Sequence, residues 1–396
     1  MKRFFALLLC LALVLPLAAS AEEEEEVSIS ELTGENLALD EEGNIIDGDD
    51  DPFDFSDDEL EMLAGMEASG ETVDRSQLEI NENLPDDVIN ILLLGLDVKG
   101  TQSEKLLSEQ GKYAKRADVQ MILSINTIDG SLKLTSIARN TCVDIPDRQN
   151  ETLIANSYGH AVYENGKYKA WVDTPYMCMA TINRNFEMNI EHYVAINFYG
   201  VASIIEYLGG ADVELTKAEA SYINSYLKKH KKAISNTYDD KKGNRDPLEK
   251  VDGVQHLDGL QALMYARTRD LDSDFGRTGR TRKLMNSLLT PTVQRIKSKE
   301  LDVLNLAGEF SRYLISDMNP ATMVSIAMQV LQGDVIQNMS GSESLIEEFR
   351  LPVDGTWAYG TTAGGASVNK FKKGQKQVNT EMLHEFIYGA YYPSGR

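Results

Sequence analysis

The short apolar run Val88–Leu96 (VINILLLGL) is rich in leucine and β-branched residues and ends at Asp97. A run of this length and composition is typical of a strand that is buried on both faces. Two more strands are predicted over Val119–Asn126 and Leu132–Ile137, and the dipeptide Asp129-Gly130 between them favours a hairpin turn. A strand buried on both faces needs a covering layer on each side of its sheet.

The helix signals come between further strand signals. A helix is predicted from Pro175 to Phe186, a strand over Tyr193–Phe198 and a helix over Val201–Leu208. Asp258 is a candidate N-cap for a helix through residues 260–265. Strands that alternate with helices predict an α/β fold. We expect an α/β/α layered sandwich with a central sheet flanked by helices.

The first residues have the pattern of an export signal. Lys2 and Arg3 precede the apolar run Phe4–Leu17, and small residues lead to Ala21 before the acidic Glu22. These are the parts of a secretory signal peptide. An uncleaved membrane anchor is the alternative, although a membrane span needs about 20 apolar residues. Cleavage after Ala21 is favoured, and both interpretations predict a protein outside the cytoplasmic membrane.

The negative charge of the chain lies almost entirely in residues 22–87. This stretch has 26 acidic residues and one basic residue, Arg75, whereas residues 88–396 carry no net charge. Dense like charge with few apolar residues predicts a disordered acidic linker. A neutral body has no basic excess to bind a phosphate backbone, so nucleic-acid binding is not supported.

The chain is therefore divided into three predicted parts. They are a signal peptide or short membrane anchor (1–21), the acidic linker (22–87), and a folded domain (88–396) with a motif-bearing core (88–290) and a helical C-terminal part (291–396). Within the core, the lysine-rich residues 216–250 have weak periodicity, which predicts an exposed insertion. Beyond the leader, Cys142 and Cys178 form either one disulfide or two buried thiols, and the thiols are favoured.

Charged residues stand where the predicted strands and helices begin or end. Asp97 follows the first strand, Arg116 and Asp118 precede the second, and Arg139 follows the third. Five more arginines are concentrated in Arg267–Arg282. A guanidinium group can bind two phosphate oxygens at once through its planar fork. Two carboxylates can share one Mg²⁺ with a phosphate. The pattern predicts a site for an anionic, phosphate-bearing ligand.

A purely structural interpretation of the same residues remains open. The arginine-rich segment also contains Asp270, Asp272 and Asp274, so its charges can pair with one another on a solvated face. Asp97 can serve as a turn residue after Gly95. Composition and spacing alone do not decide between the two interpretations.

The motifs taken together resemble the LytR–CpsA–Psr family of cell-envelope proteins. The resemblance covers residues 88–290 and is carried, in order, by NILLLGLD, RADVQMILSIN, SIARNT, IANSYGHA, YGVASIIEYLGGADVEL and LDGLQALMYARTRDLDSDFGRTGRTRK. It implies an extracytoplasmic phosphotransferase in the envelope of a Gram-positive-type bacterium. Such an enzyme uses Mg²⁺ to attach an anionic glycopolymer, such as teichoic acid or capsule, from a polyprenyl-pyrophosphate carrier to peptidoglycan.

The resemblance also implies roles for individual residues. Asp97 and Asp118 match the family's metal carboxylates, and Asp274 matches an acidic residue that orients arginines or helps to deprotonate the acceptor. Asn156 matches a further motif position at the pyrophosphate. The matching pyrophosphate-binding arginines are Arg116, Arg139, Arg267, Arg269, Arg277 and Arg280, of which Arg139, Arg267 and Arg269 are also expected to be catalytic.

Two positions depart from the family pattern. Asn140 stands where the family commonly has aspartate, and Thr281 stands where it has glutamine. Asn140 keeps an acceptor but loses a negative charge, which leaves two alternative functions open. One is a polyprenyl-pyrophosphate pyrophosphatase, and the other is a non-catalytic binding or regulatory protein that retains the phosphate pocket.

Overall fold

The computed structural model describes residue 68 and residues 74–395 with gaps. The gaps are 97–115, 147, 165–166, 174, 236–245, 269–279, 281–282, 285–286, 289–290, 293–294, 296–299, 302–308, 311, 320, 324 and 327–345. The predicted signal peptide and most of the acidic linker thus lie outside the described residues. Within the described ranges, no helix has both the length and the apolar character to cross a membrane.

Fourteen strands are described. In chain order they are β1 (Val88–Leu96), β2 (Ala117–Asn126), β3 (Leu132–Ile137), β4 (Cys142–Val143), β5 (Thr152–Leu153), β6 (Gly159–Glu164), β7 (Lys167–Asp173), β8 (His192–Asn197), β9 (Ala211–Leu215), β10 (Gly253–Leu257), β11 (Leu314–Ser316), β12 (Ile346–Leu351), β13 (Trp357–Thr361) and β14 (Ser367–Phe371). A six-stranded sheet forms the centre, in the order β11-β8-β1-β2-β3-β12.

The direction of the strands brings several chain ends to one edge of this sheet. β1 runs parallel to β8 and antiparallel to β2, while β3 runs antiparallel to β2 and parallel to β12. The carboxyl ends of β1, β3, β8 and β12 therefore meet the amino end of β2. We call this the carboxyl edge; it contains Leu96, Ala117, Ile137, Asn197 and Leu351. In open α/β sheets, ligands bind beyond the carboxyl ends of strands.

Helices cover both faces of the sheet. Among the described residues, the α-helices with defined bounds are α1 (Pro175–Phe186), α2 (Phe198–Tyr207), α3 (Lys217–Ser235), α4 (Gly259–Arg267) and α5 (Gln375–Tyr388). Side chains of β1 alternate between two apolar cores, since Ile91 and Leu93 pack toward α2, α3 and α4, whereas Leu92 and Leu94 pack toward α1 and α5. The predicted α/β/α sandwich is confirmed, and β1 is buried on both faces.

Local sequence signals act as predicted at the helix and strand ends. The Asp258 side chain accepts the Gln261 N–H at 2.9 Å, and the Gln261 side chain accepts the Asp258 N–H at 2.9 Å, which completes a capping box. Gly130 has a φ of 76° in the β2–β3 turn. Cys142 and Cys178 are free and buried, so the prediction of two thiols is confirmed. Burial raises the pKa of the Cys178 thiol to about 12.

The prediction of an exposed insertion at 216–250 is wrong in its first half. Residues Lys217–Ser235 form the helix α3, and Ala220, Ile223 and Leu227 are buried against the core. These positions repeat at three- and four-residue intervals, as one face of a helix requires. The apolar stripe is narrow and is surrounded by many lysines, so its helical periodicity is weak in the sequence.

The folded domain also begins earlier than residue 88. A short 3-10 helix spans Arg75–Gln77, and Leu78 and Leu84 are buried. The Asn81 side chain donates to the Tyr392 carbonyl at 2.8 Å, and the Asn83 side chain donates to the Pro393 carbonyl at 2.8 Å. The acidic residues around these apolar positions obscured the start of the fold, and the two ends of the folded unit lie side by side.

The prediction of a helical C-terminal part, 291–396, needs a larger correction. β11 and β12 extend the central sheet at its two edges, and β13 and β14 form a separate hairpin. Leu314 and Ile315, which belong to the part predicted to be helical, lie in β11. Sequence periodicity over three to six residues does not identify such short strands, because sheet pairing rather than local pattern forms them.

Candidate functional site

A β-bulge places Asp118 at the carboxyl edge. Gly95 pairs with Val119 and Leu96 pairs with Ala117, so Asp118 is the extra residue of β2 at this point. A bulge leaves one residue outside the regular pairing and changes the direction of its side chain, often beside an active site. The Asp118 side chain is 24% exposed. Its carboxylate is therefore accessible at the end of the sheet rather than buried between layers.

Arg139 reaches this carboxylate from the turn that follows β3. The Thr141 N–H donates to the Ala138 carbonyl at 2.9 Å, which closes a four-residue turn with Arg139 and Asn140 in the middle. Nη1 of Arg139 donates to Oδ1 of Asp118 at 3.0 Å. The Arg139 side chain is 56% exposed. Two residues predicted for the site are thus brought together, with the guanidinium open to solvent.

The backbone of this turn is held on several sides. The Ala138 N–H donates to the Leu351 carbonyl at 2.8 Å, and the Ala155 N–H donates to the Arg139 carbonyl at 3.2 Å. The Thr141 hydroxyl donates to the Ala138 carbonyl at 2.6 Å. The turn is therefore fixed to β12 and to the short 3-10 helix Ile154–Ser157.

Arg267 ends α4 with its guanidinium stacked on an aromatic ring. Its Cζ lies 3.7 Å from the centroid of the Phe198 ring. Phe198 is the first residue of α2 and follows Asn197, the residue of β8 that pairs with Leu96. A cation above a ring face is attracted by the ring quadrupole, so Phe198 orients Arg267 at the carboxyl edge.

Asn156 belongs to the 3-10 helix beside the Arg139 turn. Its side chain donates to the Thr152 hydroxyl at 3.1 Å, and its carbonyl accepts Nη2 of Arg148 at 2.8 Å. The Gln120 side chain donates to the Ile154 carbonyl at 2.9 Å, which joins this helix to β2. Asn156 is thus close in the fold to the Arg139 turn, and its predicted contact with pyrophosphate stays a prediction.

Arg280 has a different setting from the other predicted arginines. Its side chain is only 3% exposed. Nη2 donates to the Thr268 carbonyl at 2.7 Å, and Nη1 lies 3.4 Å from Oε1 of Glu219. This geometry favours a role in holding the residue after α4, next to Arg267, and direct phosphate binding by Arg280 stays a prediction.

The remaining predicted residues divide into two groups. Arg116 is described and lies exposed directly before β2. Those outside the described residues are Asp97, Arg269, Asp274, Arg277 and Thr281. In the described part of the chain, no group of three or more histidine, cysteine, aspartate or glutamate side chains is arranged to hold a metal ion. The Mg²⁺ prediction therefore stays a prediction.

Three residues of the site are not predicted from the sequence. Phe198 belongs to the predicted strand Tyr193–Phe198, whereas in the structure it directly follows the strand β8 and contacts Arg267. An aromatic residue directly after a strand end is the signal that can indicate such a contact. Glu219 lies in the lysine-rich helix that was predicted to be an insertion. Asn369 contacts the Arg139 turn from a hairpin that is 229 residues from Asn140, and no local pattern indicates such a pair.

Comparisons with known proteins agree with the family resemblance of the motifs. The model of the LytR_cpsA_psr family matches residues 61–385. A curated protein of Enterococcus faecalis, named polyisoprenyl-teichoic acid–peptidoglycan teichoic acid transferase TagU, is 27% identical over 234 residues, 58% of this chain and 62% of its own. A protein of Oceanobacillus iheyensis with the same name is 25% identical over 291 residues, 72% of this chain and 74% of its own.

Solved structures resemble the chain more distantly. The crystal structure of B. subtilis TagT has a TM-score of 0.47 and 18% identity, covering 80% of this chain and 99% of TagT. A structure of YwtF (TagT) with bound octaprenyl pyrophosphate lipid has a TM-score of 0.45 and 18% identity, covering 80% of this chain and 99% of that one. The matched region spans about 62% of the Enterococcus faecalis relative.

Proposed function

The chain belongs to the LytR_cpsA_psr family, and on this premise we propose that it is an extracytoplasmic phosphotransferase. Its donor is an anionic glycopolymer on a polyprenyl-pyrophosphate carrier, and its acceptor is peptidoglycan. The two TagU relatives support this proposal, because their name states a polyisoprenyl-linked teichoic acid and peptidoglycan as the substrates.

The observation that carries the proposal is the pair of Arg139 and Asp118 at the carboxyl edge. Nη1 of Arg139 and Oδ1 of Asp118 are 3.0 Å apart, and Arg267 ends a helix at the same edge. Arginine keeps its charge at any working pH and binds phosphate oxygens through a planar fork. Two positioned guanidinium groups at one edge, of which that of Arg139 lies beside a carboxylate, provide the positive charge that a pyrophosphate ester needs.

The chemistry follows from where charge develops. An acceptor hydroxyl oxygen attacks the phosphorus that bears the glycan, and the bond from this phosphorus to the bridging oxygen breaks. The polyprenyl phosphate leaves with the electron pair of that bond, so its negative charge rises. Arg139 and Arg267 stabilise this charge without reorganising. The acceptor proton passes to a carboxylate, and Asp274 is the proposed base.

We propose Asp97 and Asp118 as the ligands of Mg²⁺. A partly exposed carboxylate such as Asp118 is the kind of ligand that Mg²⁺ takes together with phosphate oxygens. Asp97 is bonded to Leu96, which pairs with Ala117, the neighbour of Asp118. When bound, the ion neutralises pyrophosphate charge and orients its oxygens. Asp118 would then hold the ion as well as the Arg139 guanidinium, which it already contacts.

The location in the cell is a further part of the proposal. The teichoic acid and peptidoglycan in the relatives' name support a reaction in the cell envelope. The positive residues and apolar run at 2–17 support export, and we propose that the exported protein begins at Glu22. N-terminal sequencing of protein recovered from the envelope tests this point. Met1 retained in a membrane fraction would show an anchor instead.

Reconstitution with a polyprenyl-pyrophosphate-linked polymer tests the proposed reaction. The polymer is incubated with purified protein, peptidoglycan and Mg²⁺, and both bound polymer and released polyprenyl phosphate are measured. Polymer on peptidoglycan, lost on chelation, supports the transferase. Release of polyprenyl phosphate without transfer identifies a pyrophosphatase. Tight binding of the lipid substrate with neither polymer transfer nor release of polyprenyl phosphate would identify a non-catalytic binding protein.

A further inference from the structure

Asn140 and Asn369 join their side-chain amides in both directions. The Asn140 Nδ2 donates to Oδ1 of Asn369 at 3.0 Å, and the Asn369 Nδ2 donates to Oδ1 of Asn140 at 3.0 Å. The Asn369 N–H also donates to the Asn140 carbonyl at 2.8 Å. Each amide can offer one donor and one acceptor in this arrangement, so both are satisfied at once. Three hydrogen bonds thus connect one pair of residues.

Asn369 is itself held firmly by the C-terminal hairpin. It is 5% exposed, and it pairs across the hairpin with Tyr359. Its neighbour Val368 is buried in a small apolar cluster with Cys142 and Leu153. A bridge between Thr141 and Asn369 aligns β14 with the residues that follow the turn. The hairpin is therefore docked at the carboxyl edge by β14.

The side chain of Arg139 depends on this turn for its direction. It is 56% exposed and contacts Asp118 at its far end, so its direction depends on the backbone that carries it. The backbone at residues 138 and 139 is bound by β12 and by the 3-10 helix. Asn369 supplies the matching restraint at residue 140. A displacement of about 1 Å in a positioned group can lower a reaction rate about 100-fold.

We propose that Asn369 is a positioning residue for Arg139. This inference rests on the proposed function of Arg139 and adds the C-terminal hairpin to the site. Asn369 does not touch the substrate; it holds Asn140, and through Asn140 it holds the turn that directs the Arg139 guanidinium toward the pyrophosphate. The amide at residue 140 is needed for this arrangement, because a carboxylate there would place an oxygen against Oδ1 of Asn369.

The test uses the full exported chain, and Asn369→Ala is compared with Asn379→Ala. Asn379 is a matched control because it is also a buried asparagine of the C-terminal region. Its side chain accepts the Val353 N–H at 2.8 Å and donates to the Gln375 carbonyl at 2.7 Å, away from Asn140. Both variants lose buried hydrogen bonds, so Asn379→Ala controls for the effect of lost stability alone.

The first measurement is affinity for geranylgeranyl pyrophosphate by calorimetry. Each asparagine variant is measured in the wild-type background and again in the Arg139→Ala background. We expect Asn369→Ala to weaken binding about tenfold in the wild-type background, because the guanidinium loses its direction. In the Arg139→Ala background the same change should alter affinity less than about twofold, since the two residues act as one unit. Asn379→Ala should leave affinity unchanged in both. Equal weakening by Asn369→Ala in both backgrounds overturns the inference.

The second measurement needs no ligand and no activity. Hydrogen exchange at residues 138–141 should become faster in Asn369→Ala and stay unchanged in Asn379→Ala. If the probe does not bind to wild type, the proposed function fails, and the exchange result alone decides whether Asn369 holds the turn. Unchanged exchange at residues 138–141 in Asn369→Ala would rule out the positioning role.

Discussion

Nη1 of Arg139 lies 3.0 Å from Oδ1 of Asp118 and donates a hydrogen bond to it. The contact joins the turn after β3 to the bulge in β2, and thus crosses the end of two neighbouring strands. Exposed ion pairs contribute little to stability, about 0–1 kcal/mol. The pair therefore adds little stability, and the role proposed for it is in the chemistry at this edge.

Removing the Arg139 guanidinium should remove activity while leaving the fold intact. We expect Arg139→Ala to lower transfer about 100-fold, since one charge-assisted contact to the developing phosphate charge is worth about 2–4 kcal/mol. The melting temperature should change little, because the side chain is more than half exposed. Arg312→Ala is the matched control, as Arg312 also forms an exposed ion pair, with Glu309 at 2.9 Å. Near-wild-type transfer by Arg139→Ala would contradict the site.

Binding of Mg²⁺ and of the lipid substrate should reinforce each other. We expect weak Mg²⁺ binding by the free protein and about tenfold tighter binding with a polyprenyl pyrophosphate present, because each supplies opposite charge to the other. Calorimetry on wild type, Asp97→Asn and Asp118→Asn measures this. Arg139→Ala is the comparison in the free protein: it removes no oxygen ligand, and loss of the positive charge beside Asp118 should raise Mg²⁺ affinity rather than lower it. Mg²⁺ affinity that is insensitive to both aspartate substitutions would refute the metal site.

The ring of Phe198 should contribute to substrate binding through Arg267. Phe198→Leu keeps apolar volume but removes the ring that lies 3.7 Å from Cζ of Arg267. A cation–π contact is worth about 1 kcal/mol, so affinity for geranylgeranyl pyrophosphate should fall about fivefold. Phe198→Tyr retains the ring and should bind normally. Phe349→Leu controls for the loss of an aromatic contact elsewhere, because Phe349 stacks on Phe386 with centroids 5.1 Å apart.

Two histidines should give the stability of the protein opposite pH dependences. Burial lowers the pKa of His384 from 6.5, so its contribution is complete above pH 6.5 and lost as the pH falls through the lowered value. The hydrogen bond to Asp317 raises the pKa of His192 from 6.5. Its contribution is complete below pH 6.5 and lost as the pH rises through the raised value.

Urea unfolding from pH 4.5 to 8.5 measures both effects. His384→Gln should reduce the decline in the free energy of unfolding on the acid side, whereas His192→Gln should reduce the decline above pH 6.5. The Tyr392 N–H donates to Nδ1 of His384 at 3.3 Å, so protonation of this ring also removes an acceptor. Identical pH profiles for wild type and both variants would show that neither histidine titrates with folding.

The sequence predicted those parts of the fold that are determined locally. β1 and β3 agree with their predicted bounds, because their apolar runs are short and end at turn residues. The cap at Asp258 depends on neighbours within three residues, so it also was predictable. β11 and β12 depend instead on pairing with strands far along the chain, and α3 has only a narrow apolar stripe among lysines.

The site was predictable only where its residues stand beside such local elements. Asp118 lies at the start of β2 and Arg139 follows the end of β3, so their convergence follows from the antiparallel pairing of these two strands. The bulge that sets the direction of Asp118 is a property of the register between β1 and β2, which no single segment contains. The partners Phe198 and Asn369 belong to tertiary packing, and they become visible once the helices and the hairpin are in place.

The contact between the two ends of the folded unit has a practical consequence. Asn81 and Asn83 bind the carbonyls of Tyr392 and Pro393, and Val88, which follows them, begins the strand that runs toward the carboxyl edge. The ends therefore lie beyond the amino end of β1, on the far side of the sheet from Arg139. A circular permutant that joins them through a short linker should fold, and a fluorescent protein fused at the C-terminus should not obstruct a bulky glycan entering at the opposite end.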